Sequence, residues 1–164
     1  MGQGRDSAWH RGSGIRRSEI VTRAESWLHP AVPYHRNRFH HNEYGIYRTD
    51  APGYVSMAWA VLGDPPRRHG GLGIDGLTAL SELIAAAELR AGDALLRAEP
   101  PGHIAIFHEW ADPARLSYWG FEQAAGSGTV HRPIAFPYDD LDDLDDLDDG
   151  ARLYLPRRYR HLTD

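Results

Sequence analysis

The chain of 164 residues contains no cysteine. This absence excludes disulfides, thiolate metal ligands and nucleophilic catalysis by a thiol. The length and the hydrophobic content of 41% fit one soluble domain that buries its core without a disulfide or a structural metal. We expect the protein to need no cofactor.

The chain also lacks lysine and long apolar runs. All 18 basic residues are arginine, a bias that we attribute to genomic composition. The first 22 residues carry four arginines and no apolar segment, so no signal peptide is predicted. No later stretch approaches the length that spans a membrane. These absences predict a cytoplasmic protein with no membrane partner.

The negative charge is concentrated in one segment, residues 138–150. It holds eight of the 23 acidic residues in an Asp-Asp-Leu repeat and leaves 15 acidic against 18 basic residues elsewhere. A period of three fits neither helix nor strand, and charge repulsion favours a mobile, solvated loop. A calcium site or a protein-docking loop is the alternative, although the spacing lacks the glycine turn and terminal glutamate of an EF-hand.

Two helices are predicted in the first half of the chain. Residues 18–28 place apolar side chains on one helical face, with Ser18 as the N-cap. Asp50 is suited to cap a second helix with Pro52 in its first turn. The buried stripe of that helix is formed by Tyr54, Val55, Ala58, Trp59 and Leu62, and the sequence Gly-Asp-Pro-Pro at 63–66 ends it.

The segments around these helices are predicted from composition. Residues 29–49 are rich in Pro, His, Asn, Tyr and Arg without a clean period, which predicts a long ordered loop. A Gly- and Arg-rich loop follows at 67–76. Helix propensity then favours a third helix over 77–89.

The second half of the chain reads as strands separated by Gly or Pro turns. Because helices come first and strands afterwards, the pattern predicts an α+β domain with an antiparallel sheet. We expect residues 1–17 to be a flexible arm and residues 18–164 to form one domain. The predicted strands cover 94–97, 103–110, 115–123, 130–136 and 152–159.

Metal and nucleic-acid sites are both poorly supported. Histidines occur at His35, His40, His41, His69 and His108, but their spacing is not diagnostic and arginines within 35–41 oppose a cation. We therefore expect no metal site. Arginine doublets are scattered without a recognition motif, and the acidic tract repels phosphate, so no nucleic-acid partner is expected.

Four motifs in order resemble the NlpC-type cell-wall endopeptidases, which are papain-like cysteine peptidases. Tyr34 follows a proline, residues 50–55 open a helix, Leu-Arg-Ala-Gly-Asp at 89–93 enters a strand, and residues 102–107 begin with Gly-His. The match covers roughly residues 18–137. It implies a papain-like fold in which N-terminal helices pack on a central antiparallel sheet.

The resemblance also implies a site. Ala51 occupies the position of the nucleophilic cysteine at a helix N-terminus, where free amides and the helix dipole stabilise anions. His103 takes the position of the catalytic base, and Glu122 is the candidate that orients its imidazole, with Gln123 as the neighbour to distinguish from it. Tyr34 is a hydrogen-bond donor to the cleft, and we expect Asp50, Ala51, Gly53 and Gly102 to bind ligand.

Two departures from the family motif decide the functional expectations. Ala51 and Pro52 replace its Cys and Ser, and Ser56 lies about 140° further around the helix, so covalent peptide hydrolysis is not expected. The cleft is instead predicted to bind a peptide, an amide or another small molecule. His103 and Glu122 then either perform acid–base chemistry in small-molecule secondary metabolism or serve a regulatory pseudoenzyme that binds without turnover. An inactivated cell-wall hydrolase is the remaining alternative.

Overall fold

The computed structural model describes residues 14–136 and 153–164. The predicted acidic loop at 138–150 and residues 1–13 of the predicted arm lie outside these ranges. The described end of that arm is packed on the domain: Ile15 is 5% exposed, and its backbone pairs with Leu162 near the C-terminus. None of the described helices is long and apolar enough to cross a membrane.

Three α-helices and one 3₁₀ turn are present in the described residues. They are α1 (Arg17–Glu25), α2 (Ala51–Trp59), α3 (Ile74–Ala79) and the turn Ala86–Glu88. The strands are β1 (Phe39–Asn42), β2 (Gly45–Arg48), β3 (Ser81–Leu83), β4 (Ala94–Arg97), β5 (His103–Trp110), β6 (Ser117–Ala124), β7 (Gly128–Ala135) and β8 (Leu155–Tyr159).

The strands form a hairpin and a six-stranded antiparallel sheet, so the predicted α+β class is confirmed. The hairpin pairs β1 with β2, and the large sheet has the order β3-β8-β4-β5-β6-β7. Strand β8 enters between β3 and β4, although it is last in the chain. This insertion brings the C-terminal segment into the centre of one half of the sheet.

Three predictions of secondary structure are wrong in detail: the start of the first helix, the loop at 29–49 and the bounds of the last three strands. Helix α1 begins at Arg17, and its start is closed by the Glu19 carboxylate, which accepts from the Arg16 amide; Ser18 is not the cap. The predicted loop at 29–49 contains the β1–β2 hairpin. The predicted strands 94–97 and 103–110 are found with those bounds, whereas the last three begin or end a few residues away.

The predicted helix at 77–89 is wrong for most of its length. Helix α3 ends at Ala79, and Ser81 then starts β3, which pairs with β8. The Ser81 hydroxyl donates to the Leu77 carbonyl and accepts from the Arg157 guanidinium at 2.8 Å. Pairing with a distant strand and a buried polar contact therefore override the helix propensity of the Ala- and Glu-rich segment.

Helix α2 is the buried centre of the fold. Tyr54, Val55, Ala58 and Trp59 of the predicted stripe are fully buried. The predicted helix end at 63–66 is wrong, because the helix stops at Trp59 with Ala60 in the left-handed conformation, and Leu62 therefore lies outside it. Two of the buried residues also have their polar atoms satisfied, because the Tyr54 hydroxyl donates to the Ala24 carbonyl and the Trp59 indole donates to the Gly92 carbonyl. The helix packs against β5 and β6. Its N-terminus is thereby fixed beside the strands that carry His103 and Glu122.

Asp93 is a fully buried carboxylate between two arginines. Its oxygens accept from Arg17 Nη1 at 3.0 Å, from Arg158 Nε at 3.0 Å and Nη2 at 2.9 Å, and from the Arg90 amide at 2.8 Å. Arg17 belongs to α1 and Arg158 to β8. One carboxylate thus joins both ends of the described chain to the start of β4.

Replacing Asp93 with asparagine is expected to destabilise the fold by about 3–5 kcal/mol, because two arginines lose the charge that they share in the interior. Urea unfolding of Asp93→Asn against the wild type measures the change. Asp75→Asn is the matched control, since Asp75 is exposed, and its effect is expected to stay within about 0.5 kcal/mol. Equal effects of the two substitutions contradict this assignment.

Candidate active-site cleft

An open cleft of about 710 Å³ lies where the N-terminus of α2 meets β5 and β6. Tyr34, Asp50, Ala51, Gly102, His103 and Glu122 all line it, so the fold brings together six of the seven residues predicted for the site. A larger cavity of about 870 Å³ adjoins it and shares Ile74 and Gly102, but His103 does not reach that cavity. The residues predicted to carry acid–base chemistry line the smaller cleft, whereas the titratable residues of the larger cavity include Asp64, Asp75, Tyr159 and His161.

The start of α2 is held by Asp50. Its Oδ1 accepts from the Gly53 amide at 2.8 Å, and its Oδ2 accepts from Arg48 Nε at 2.6 Å. Arg48 in turn donates to the Leu72 carbonyl at 2.9 Å. Asp50 is therefore the N-cap of α2, as its position before Ala51 and Pro52 predicts. Its ion pair with Arg48 also joins the helix start to β2.

The helix start presents few donors to a ligand. Pro52 has no amide hydrogen, and the Gly53 amide is taken by Asp50. The Ala51 amide makes no hydrogen bond within the described part of the chain. A carbonyl oxygen placed in the cleft thus meets one helix-end amide, and Ser56 does not help because its hydroxyl is turned to the Pro52 carbonyl and the Leu72 amide.

Gly53 does not line the cleft, so its predicted role in ligand binding is not supported by its position. It is buried, and a Cβ at this position would collide with the Arg48 carbonyl oxygen and carbon. The close approach of β2 to the first turn of α2 requires a residue without a side chain here. Sequence alone does not separate this packing demand from contact with a ligand.

His103 and Glu122 are in direct contact. His103 lies at the first residue of β5, and its Nε2 is 2.5 Å from Glu122 Oε2 on β6. Because an ionised carboxylate only accepts, Nε2 carries the proton and Nδ1 is the basic nitrogen of the neutral ring. Of the two neighbours considered from the sequence, Gln123 is on the other face of the strand, where its amide donates to the Val32 carbonyl.

Arg132 of β7 completes this network, and sequence reasoning missed it. Its Nε and Nη2 donate to Glu122 Oε1 at 3.0 and 2.7 Å. The register places Arg132 opposite Gly120, two residues before Glu122 and on the same face of β6. The sequence does show an arginine on the next predicted strand. Which face of the sheet it occupies, and whether it reaches Glu122, follows only from the pairing register of β6 and β7.

Burial raises the pKa of the Glu122 carboxyl, but the hydrogen bond and charge of His103 and the charge of Arg132 outweigh it, so the pKa lies below its ordinary value. The side chain is only 1% exposed. Glu122 is therefore an anion at neutral pH, and its charge is balanced by Arg132, whose side chain is 45% exposed. It can hold the His103 ring in one orientation and stabilise its protonated form.

Tyr34 and Arg36 also line the cleft. Their loop is tied to the residue before Asp50, because Thr49 Oγ1 donates to the His35 carbonyl at 2.9 Å and the His35 amide donates to the Thr49 carbonyl. Tyr34 is half-buried, and its hydroxyl has no hydrogen-bond partner within residues 14–136 and 153–164. The phenol and the exposed Arg36 are thus placed where a ligand can reach them.

Aromatic and cationic side chains that the motifs did not indicate complete the lining. Tyr154 lies edge-on to His103 with the ring centroids 6.0 Å apart, and the Arg97 guanidinium lies 5.3 Å from the centroid of the same tyrosine. Tyr154 follows the acidic segment by a few residues. Its approach to β5 depends on the insertion of β8 next to β4, which sequence spacing does not reveal.

Of the five histidines considered for a metal, the four outside strand β5 do not assemble into one centre. His35, His41 and His69 are exposed in or near the first hairpin and loops, while His40 packs edge-on against Trp27. Within the described ranges, no group of three or more His, Cys, Asp or Glu side chains converges.

Comparison of the chain with protein-family models gives no match, and comparison with curated proteins gives none either.

Removing the Glu122 charge is expected to change how stability depends on pH. A carboxyl whose folded pKa is depressed stabilises the fold above its unfolded value, near the ordinary 4.5, and loses that contribution as pH falls through the folded pKa. Glu122→Gln should therefore be less stable than the wild type at pH 7, and the gap should narrow below pH 4.5. Urea unfolding across this range measures the gap, with the exposed Glu43→Gln as control. A gap independent of pH contradicts the assignment.

Proposed function

We propose that the chain is a thiol-less homologue of the NlpC-type cysteine peptidases, and that its cleft binds a peptide, an amide or another small molecule with which His103 exchanges a proton. The observation that carries the proposal is the His103–Glu122–Arg132 network beside Ala51. A base, its orienting carboxylate and a helix N-terminus converge where the resemblance places a nucleophile.

The chemistry of the cleft favours a ligand rich in hydrogen-bond acceptors. Both acidic side chains of its lining are engaged within the protein, Asp50 by Arg48 and Glu122 by Arg132 and His103. The groups that face a ligand include the Tyr34 hydroxyl, the Ala51 amide and the Arg36 guanidinium. Carbonyl and carboxylate oxygens of a peptide or amide satisfy such donors.

The acid–base role follows from the orientation of the His103 ring. Nε2 carries its proton and donates it in a hydrogen bond to Glu122, so Nδ1 can accept a proton from a bound hydroxyl, an amine or an acidic C–H group. The imidazolium that forms is stabilised by the Glu122 carboxylate, and the proton returns to the product in the reverse step. Such chemistry needs no thiol and fits small-molecule secondary metabolism.

A binding or regulatory protein without turnover is the second candidate. It is favoured by the start of α2, where Pro52 removes one amide and Asp50 occupies another. With few donors for a developing oxyanion, the cleft is better suited to holding a carbonyl than to stabilising charge on it. An inactivated cell-wall hydrolase belongs to this same class.

Introducing a thiol at position 51 tests the site. In Ala51→Cys the thiol is expected to have a pKa well below about 8.5, because it lies at a helix N-terminus next to the His103 network. Alkylation rate against pH measures that value, and the rest of the chain has no cysteine to interfere. Ala125→Cys is the control, since Ala125 is exposed on the cleft wall away from the helix end. Equal apparent pKa values, or a low value that persists after His103→Ala, contradict the proposal.

The function itself is tested with a γ-D-glutamyl peptide. We expect binding without hydrolysis, followed by the NMR signals of His103, and an affinity about fivefold weaker in Tyr34→Phe because one hydrogen bond is lost. Tyr44→Phe, in a tyrosine that lies outside the cleft lining, is the control. If the wild type hydrolyses the peptide and His103→Ala does not, the expectation of no peptidase activity is wrong. If neither this peptide nor a simple amide binds, the proposed ligand class is wrong.

A further inference from the structure

A histidine pair lies on the opposite face of the sheet from His103 and Glu122. His108 of β5 and His131 of β7 approach each other across β6, with His108 Nδ1 3.0 Å from His131 Nε2. Both are half-buried. Both rings pack against Phe121, the neighbour of Glu122 along β6, which belongs to the buried core that contains helix α2.

Two features of the sheet bring these rings together. The β5–β6 register shifts between Phe107 and Glu109, so that His108 is the extra residue of a β-bulge. His131 is directly opposite Phe121 and stacks on it with a centroid distance of 4.4 Å and an interplanar angle of 23°. His108 leans on the same phenylalanine at 5.2 Å. The backbone and a shared aromatic support therefore fix both imidazoles.

The separation of the two nitrogens suits a metal chelate. Metal–imidazole bonds are about 2.0–2.1 Å long, so two ring nitrogens 3.0 Å apart subtend about 91–97° at a bound ion. That angle belongs to adjacent positions of a square-planar or tetragonal site and is smaller than the tetrahedral angle that zinc prefers. Among divalent first-row ions, copper binds nitrogen ligands most tightly and adopts this geometry.

The surroundings favour ligation. Glu25 and Glu109 both act electrostatically on His131. The two glutamates are exposed and bring negative charge close to the pair.

We propose that His108 Nδ1 and His131 Nε2 form a bidentate site for one Cu(II) ion, with water in the remaining positions. In the free pair one imidazole places its hydrogen between the two nitrogens. On binding, that hydrogen moves to the outer nitrogen of the same ring, both inner lone pairs coordinate the ion, and no net proton is released from a neutral pair. The site is independent of the cleft and of the function proposed for it.

Titration of the untagged full chain with Cu(II), followed by calorimetry and electron paramagnetic resonance, tests the site. We expect one ion bound with two imidazole nitrogens, and an affinity at least about tenfold weaker in His108→Gln and in His131→Gln. Because both residues serve one chelate, the double variant should lose little more than each single one. His41→Gln, an exposed histidine of the first hairpin, should leave the affinity unchanged.

A measurement on the wild type keeps the test decisive if a variant fails to fold. Substoichiometric Cu(II) should broaden the imidazole signals of His108 and His131 before those of the other histidines. Broadening that starts at another histidine or at the N-terminus overturns the proposal. Unchanged affinity in both variants, or a loss equal to that of His41→Gln, overturns it as well.

Discussion

The buried carboxylate of Asp93 is the constraint on which the architecture depends. It receives Arg17 from the first helix and Arg158 from the last strand, so sequence-distant segments meet at one charge. Removing two arginines and a carboxylate from water is favourable only when all three are satisfied together. Strand β8 is held in its central place between β3 and β4 by this requirement, and Tyr154, just before β8, thereby reaches His103.

The predictable parts of the fold are those in which local and long-range demands agree. Helix α2 has a cap at Asp50, a proline in its first turn and an apolar stripe that is buried from Tyr54 to Trp59, so sequence spacing was sufficient for its start and its buried face. Residues 77–89 show the opposite case, because their helical propensity is weaker than the pairing of β3 with a strand some 75 residues away. The position of Ser81 depends on Arg157, and no local pattern contains that information.

The residues of the site also fall into those that local sequence predicts and those that depend on long-range pairing. Ala51, His103 and Glu122 were predictable because each lies in a motif or at a strand position fixed by alternation. Arg132 and Tyr154 were not, since their approach depends on register and on the insertion of β8. Gly53 was predicted to bind ligand, but a glycine is required there because any side chain would collide with the Arg48 carbonyl.

The pairing of His103 with Glu122 has a physical explanation even without catalysis. Glu122 is 1% exposed, and a buried carboxylate that loses one partner costs several kcal/mol. Arg132 binds one oxygen and His103 the other, so the network contributes to folding whatever the cleft does. Tyr34 and the Ala51 amide differ, because neither has a hydrogen-bond partner in the described chain. Their placement in the cleft adds nothing to the internal hydrogen bonding of the fold, and the proposed ligand would use both donors.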